Sequence, residues 1–436
     1  MQNKLLKTMF FLTCMGISTL YAETLSVDEA IQLAINNSEA VAASLLDAES
    51  STRVAETNYL LPTVTLDASM SPTASVFDIL DKDIDPSVST SVSVGSTATL
   101  STDFSTPYKK EINQTNERIG SLTVVTDKQT VKKEVITDYW NVVDCKLTSE
   151  EAEKTLEEQQ TIQDSNQAKY DDGALDKLTL TESELALMQA QQDVDSAQIS
   201  LQAALNTLSK LTGKMMTADQ FEDFPELEEI QDEQSLYALL PATSAMQSLQ
   251  EDITLGQLNY KSTKTQNTMP TLSASGTVEV SGTLYDASSS SSSSLSDSSS
   301  LTVSLSVPMD TYFKNSSTSI TLDNAKRTID SSRYTYQAKL REMQQSVTDY
   351  LTTIHLSLLS QNSLEKQLTL LQYQEEQQKQ SYESGVSDYS DYQDAIRDRQ
   401  LGEISLRENA LTYTLNLHYL ACYLEVSIND ILNGEN

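Results

Sequence analysis

Thr63-Val64-Thr65-Leu66-Asp67-Ala68-Ser69-Met70-Ser71 alternates without a break: Val64, Leu66, Ala68 and Met70 are apolar, and hydroxyl or carboxyl residues stand between them. The same register continues through Val92, Val94, Ala98, Leu100 and Phe104 in residues 88–104. A second pair repeats the pattern, with Leu272, Ala274, Val278, Val280 and Leu284 in residues 271–284, then Leu301, Val303, Leu305 and Val307 in residues 301–307. Period two over about 10 residues is what a tilted strand needs to show one face to lipid and the other to water. Four such strands do not close a barrel, since the smallest single-chain barrels have about 8. Open strand edges are not tolerated in hydrocarbon, so the missing strands have to come from other copies of the chain. A membrane-spanning oligomer is expected.

Outward from the strands, proline marks where helices are allowed. Pro62, Pro72, Pro86 and Pro107 bracket the first pair, and Pro270 and Pro308 bracket the second. Proline lacks the ladder donor and belongs at strand ends and turns. None occurs between Pro107 and Pro225 or after Pro308, so both stretches are free to be long helices. A helix from Lys109 to Asp172 would reach about 96 Å at ~1.5 Å per residue. Gly173 breaks it, and Val194, Ala197, Leu201, Leu205, Leu208 and Leu211 form a three-and-four stripe on the way back. Ile354, Leu358, Leu364, Leu368 and Leu371 do the same before the second break at Gly385. Ser26 and Glu29 spell a capping box for an opening helix.

The chain is duplicated. Leu61-Pro62-Thr63 recurs as Met269-Pro270-Thr271, Thr137-Asp138-Tyr139 as Thr348-Asp349-Tyr350, and Tyr170-x-x-Gly173 as Tyr382-x-x-Gly385. Residues 1–22 read as a signal peptide, with Lys4 and Lys7 before an apolar stretch and cleavage after Ala22; Thr13 before Cys14 is a poor lipidation context. Residues 23–218 form the first repeat, 219–234 an acidic, solvated connector, and 235–436 the second repeat. Asp78, Asp81, Asp83 and Asp85 read as an exposed loop, and the serine-rich Ser288–Ser300 as a loosely ordered one.

A formal net charge of −34 argues against nucleic acid and against basic docking to anionic headgroups. Cys145 and Cys422 lie far apart in helical stretches and make neither a disulfide framework nor a metal spacing. His355 and His418 are the only histidines, on separate helices, and read as packing or capping residues. With no Ser-His-Asp set, phosphate loop or metal motif, no enzymatic centre, cofactor or metal is expected. The other reading is a secreted structural or adhesive coiled-coil protein. It accounts for the heptads and serines but not for two matched strand pairs inside a duplication.

Leu25-Ser26-Val27-Asp28-Glu29-Ala30-Ile31-Gln32-Leu33-Ala34, the Leu61-Pro62-Thr63 start of the first strand, and the paired Tyr-x-x-Gly turns together resemble the TolC-like outer-membrane factor family across essentially all of the mature chain. The resemblance implies a mainly α fold with a small β part. Long helical hairpins would form a trimeric α-barrel in the periplasm, and four transmembrane strands per chain would enter a shared 12-stranded β-barrel in outer-membrane lipid. It also implies a homotrimer that meets a periplasmic adaptor (membrane fusion) protein and an inner-membrane transporter, as the passive outer-membrane duct of a tripartite efflux pump or type I secretion system. In the family, two aspartates after the second tip glycine ring the periplasmic aperture, and here they match Asp391 and Asp394. Tyr382 matches a tyrosine that latches the closed tip. The family's arginine two residues after that glycine is Ser387 here, and the first-half aspartate is Thr179.

Overall fold

The computed structural model describes residues 24–59, 61, 63–74, 88–286 and 295–433. The expected signal peptide, the Asp78–Asp85 loop, and Ser288–Ser294 of the serine tract lie outside them. Two compact units divide the chain. One takes residues through Ala42, Asp127–Leu240 and Gln344 onward; the other takes Ala43–Thr126 and Pro241–Met343. Each draws on both halves of the sequence.

The second unit holds the sheet. β1 (Thr63–Ala74), β2 (Val88–Ser101), β3 (Thr271–Asp286) and β4 (Leu295–Ser306) pair antiparallel in the order β1-β2-β3-β4. The register sets Ala68 opposite Val94, Val94 opposite Val280, Leu272 opposite Leu305 and Ala274 opposite Val303. The apolar residues of all four strands therefore share one face, and most of them are exposed in the single chain: Leu66 by 76% and Leu305 by 68%. The other face is mostly serine and threonine. Its hydroxyls bond across strands, Ser69 to Ser93 at 2.7 Å, Ser273 to Ser304 at 2.7 Å and Ser281 to Ser296 at 3.0 Å. β1 and β4 each have one unpaired edge.

β4 corrects the serine-tract expectation, because it begins at Leu295 and not at Leu301. Composition pointed to a loose loop since serine adds no apolar burial. The segment is held instead by the backbone ladder to Val278–Gly282 and by the Ser296–Ser281 hydroxyl pair.

The helices follow the punctuation. In chain order they are α1 (Val27–Asn37), α2 (Glu39–Ala55), α3 (Thr106–Asp171), α4 (Lys177–Thr212), α5 (Glu233–Leu239), α6 (Ser244–Thr268), α7 (Ser317–Glu383), α8 (Tyr389–Leu424) and α9 (Ile428–Asn433). Pro107 sits in the first turn of α3, where its missing N–H would have had no partner. The Ser26 hydroxyl accepts from the Glu29 N–H at 3.2 Å, and the Glu29 carboxylate accepts from the Ser26 N–H at 3.3 Å, completing the capping box. Asn37 at the end of α1 donates to the carbonyls of Lys210 and Leu211 at the end of α4. Gly213 caps that helix at φ 70°, and a Cβ there would sit 2.9 Å from the side-chain Oδ1 of Asn37. The left-handed backbone favours glycine here, and a side chain would also have to displace the Asn37 amide that binds the end of α4.

The first unit's core gathers Val135, Ile136, Tyr139, Trp140 and Val143 of α3, Leu205 and Leu208 of α4, and Ala30, Ile31 and Ala34 of α1. The Tyr139 hydroxyl donates to the Leu25 carbonyl at 2.7 Å. The acidic stretch is not simply solvated. Phe221, Phe224, Leu227 and Ile230 recur every third residue and turn inward, with Phe221 and Ile230 buried and Phe224 stacked on Trp140 at 5.5 Å. Tyr413 fixes the middle: the Glu228 N–H donates to its hydroxyl at 2.9 Å, and that hydroxyl donates to the Glu228 carbonyl at 2.7 Å. The stretch is a strap whose acids face out and whose Phe221 and Phe224 join the core.

Candidate functional site: the hairpin tips

Both hairpins turn in the same way. At the first tip the Gly173 N–H donates to the Tyr170 carbonyl and Ala174 to Lys169; at the second, Gly385 donates to Tyr382 and Val386 to Ser381. Gly173 and Gly385 adopt φ 74° and 72°, a left-handed conformation that only glycine takes without strain, and nothing crowds either position.

The second tip carries an aromatic cluster. Tyr389 and Tyr392 are buried on α8, and Tyr382 of α7 packs on both, at ring distances of 5.5 and 5.9 Å. The Tyr382 hydroxyl donates to the Asn166 side-chain oxygen of α3 at 2.5 Å, and Lys169 lies 4.7 Å over the Tyr382 ring. Burial, then nearby carboxylates, pushes the Tyr392 hydroxyl up to about 12. Burial also raises Tyr382, against the Asn166 hydrogen bond. Both hydroxyls stay protonated, and that of Tyr382 acts as a donor.

Asp391 and Asp394 lie one helical turn apart, exposed, on one face of α8. Asp391 accepts from the Ser387 hydroxyl at 3.2 Å, so the serine standing where the resemblance expects arginine is a ligand of the first aspartate. Asp394 pairs with Arg397 at 2.5 Å. Neither aspartate bonds Tyr382. Gln159 of α3 and Gln393 of α8 meet at 3.2 Å a turn further in.

Two arginines of α8 then clamp the neighbouring helices. Arg399 donates to Glu375 of α7 at 2.5 Å, to Glu403 at 2.9 Å and to Glu158 of α3 at 2.9 Å. Arg407 donates to Asp144 at 2.9 Å and Glu151 at 2.5 Å, both on α3. Each arginine side chain is 14% exposed. Burial opposes the charge on Arg399, but Glu158, Glu403 and Glu375 outweigh it and raise its pKa. Burial raises Glu151 and Glu158 despite their arginine partners.

Sequence reasoning named Tyr382, Asp391, Asp394 and both glycines but missed Asn166, Arg399 and Arg407. One signal was available. Arg399 and Arg407 lie eight apart on one helix face in a chain with 63 acids against 29 bases, so each was bound to meet carboxylates.

A sheet with one apolar face and two unpaired edges, in a chain that also folds two long helical hairpins, defines a subunit of an outer-membrane channel. The chain belongs to the outer membrane efflux protein family, whose model matches residues 30–214 and 245–417. It is therefore an outer-membrane protein of the class that the TolC-like motifs indicated, a channel family and not an enzyme family. No curated protein matches it in sequence. Its fold is shared with a membrane protein from Pseudomonas aeruginosa at TM-score 0.71 and 17% identity, over 91% of this chain and 93% of that one. VceC from Vibrio cholerae aligns at 0.70 and 13%, over 92% and 96%. The open state of MtrE from Neisseria gonorrhoeae aligns at 0.70 and 17%, over 95% and 94%.

Proposed function

We propose that the protein is the passive outer-membrane duct of a tripartite efflux pump or type I secretion system, a homotrimer coupled through a periplasmic adaptor to an inner-membrane transporter. The observation that carries this reading is the sheet: four strands, one apolar face, and an open edge on each side. Three copies would close a 12-stranded barrel, satisfying every edge and burying the apolar face in lipid. Replacing Val94 or Leu305 by Arg should then impair insertion by about 2–4 kcal/mol near mid-bilayer. The readout is the amount of heat-sensitive trimer in outer-membrane fractions; normal trimer from both variants would overturn the lipid-facing assignment.

Asp391, Asp394 and Tyr382 form the aperture in this reading, with the two aspartates of each copy ringing the pore and Tyr382 latching α7 to α3 through Asn166. Because Arg397 neutralises Asp394, Asp391 supplies more of the negative field that draws cations. Planar-bilayer recordings should show cation preference falling more for D391N than for D394N, with normal assembly, since exposed changes of this kind cost less than about 0.5 kcal/mol. Unchanged selectivity in both would remove these residues from the pore axis.

A further inference from the structure

Behind the second tip, Thr161, Asn166 and Lys169 of α3, Lys379 and Tyr382 of α7, and Tyr392 of α8 line a cavity of about 280 Å³, near the small end of ligand pockets. One wall is polar and incompletely matched. Asn166 is fully buried; its side-chain oxygen is taken by the Tyr382 hydroxyl, while its Nδ2 has no acceptor. A buried amide N–H without an acceptor is rare and calls for a partner.

Charge and shape narrow that partner. Lys169 rests over the Tyr382 ring, and neither it nor Lys379 ends in an ion pair among the described residues. The carboxylates on the same wall are Glu158, which Arg399 bonds at 2.9 Å and Lys379 also attracts, and the exposed Glu383. With two carboxylates already on this wall, the lysine donors and the Asn166 N–H suit a singly charged acceptor better than a phosphate dianion. Ile162 and the two tyrosine rings supply an apolar wall.

We infer that this cavity binds a small organic monocarboxylate with an apolar or aromatic body, its carboxylate between Lys169 and Lys379 at the Asn166 amide, and its body against Ile162 and the tyrosines. The bound acid joins α3 to α7 in every copy. This site stands independently of the aperture reading, because it needs only the helix packing of one chain.

Calorimetric titration of the full-length protein in detergent, with benzoate at fixed ionic strength, tests the site. Saturable binding is expected, with benzyl alcohol (the same body without the charge) and inorganic phosphate each at least about tenfold weaker. Lys379→Met, an exposed change, should weaken benzoate about tenfold while the helical circular dichroism stays that of the wild type. Lys169→Met with Lys379→Met should abolish the binding. Absence of saturable heat, equal binding of benzyl alcohol, phosphate as tight as benzoate, or unchanged affinity in the double variant would each overturn the proposal.

Discussion

The two hairpins turn alike and are held differently. The first, α3 to α4, contributes carboxylates and is seated at its base by Leu205 and Leu208 in the apolar core. The second, α7 to α8, carries the tyrosine cluster and both clamping arginines. Both cations of the clamp thus lie in the second half, while its carboxylates come from both halves: Asp144, Glu151 and Glu158 from α3, Glu375 from α7 and Glu403 from α8. What the duplication preserved is the turn, which depends on a single glycine conformation; what diverged is the side chemistry that decides which helix is tethered to which. α8 is the tethered element, since Arg399 and Arg407 both issue from it and reach α3 and α7.

The largest expected effect comes from cutting that tether. Arg399→Met leaves Glu158, Glu375 and Glu403 facing one another without a cation, which should cost about 3 kcal/mol. Glu158→Gln should cost much less, because Arg399 keeps its other two acids. Denaturant midpoints, with hydrogen exchange of α8 against α4, read the difference. Combining R399M with E158Q, E375Q and E403Q should recover most of the loss. If E158Q costs as much as R399M, the tether does not belong to α8.

Acid sharpens the same contrast at the base of the hairpins. His418 of α8 packs 5.6 Å from Trp140, and burial lowers its pKa from 6.5 to about 4, with Asp28 opposing. Its folded pKa lies below the unfolded value, so the unfolded chain binds more protons between pH 6.5 and 4. Stability is full above that window and falls as pH drops through it. His418 is mostly buried, and a shift of this size corresponds to a loss of about 2–3 kcal/mol. Unfolding at pH 7.5 and 4.5 should show a smaller acid loss for His418→Leu than for the wild type. Equal losses would mean that other groups carry the acid response.

Where local rules decide the structure, the fold was legible. The alternation in Thr63–Ser71 set the apolar face, Ser26 and Glu29 marked a helix start, and Gly173 and Gly385 marked the turns. The strap was misread because its acids dominate the composition, although Phe221, Phe224, Leu227 and Ile230 keep a period of three that fits neither helix nor strand. The start of β4 was missed because serine carries no burial signal and the ladder that orders it is supplied by β3. At the site, Tyr382 could be placed from its spacing to Gly385, whereas Asn166 could not. It pairs with Tyr382 across 216 positions, and nothing near it in sequence announces the contact.

The smallest effect separates the tips themselves. Asp176 caps α4, its carboxylate accepting from the Thr179 N–H at 3.2 Å, whereas Asp388, at the matching place before α8, makes no side-chain cap bond. A carboxylate cap also suits the positive end of the helix dipole, and the Thr179 hydrogen bonds hold the Asp176 pKa below its ordinary value. The cap is therefore complete above the usual carboxylate range and fades as pH falls through the lowered value. Asp176→Ala should speed amide exchange in the first turn of α4 at pH 7, and Asp388→Ala should leave the first turn of α8 nearly unchanged. The turn of α8 is secured instead by the buried rings of Tyr389 and Tyr392, so its exchange should respond to Tyr389→Ala. If Asp388→Ala opened α8 as far as Asp176→Ala opens α4, both tips would share one capping chemistry, and their asymmetry would lie only in the arginines.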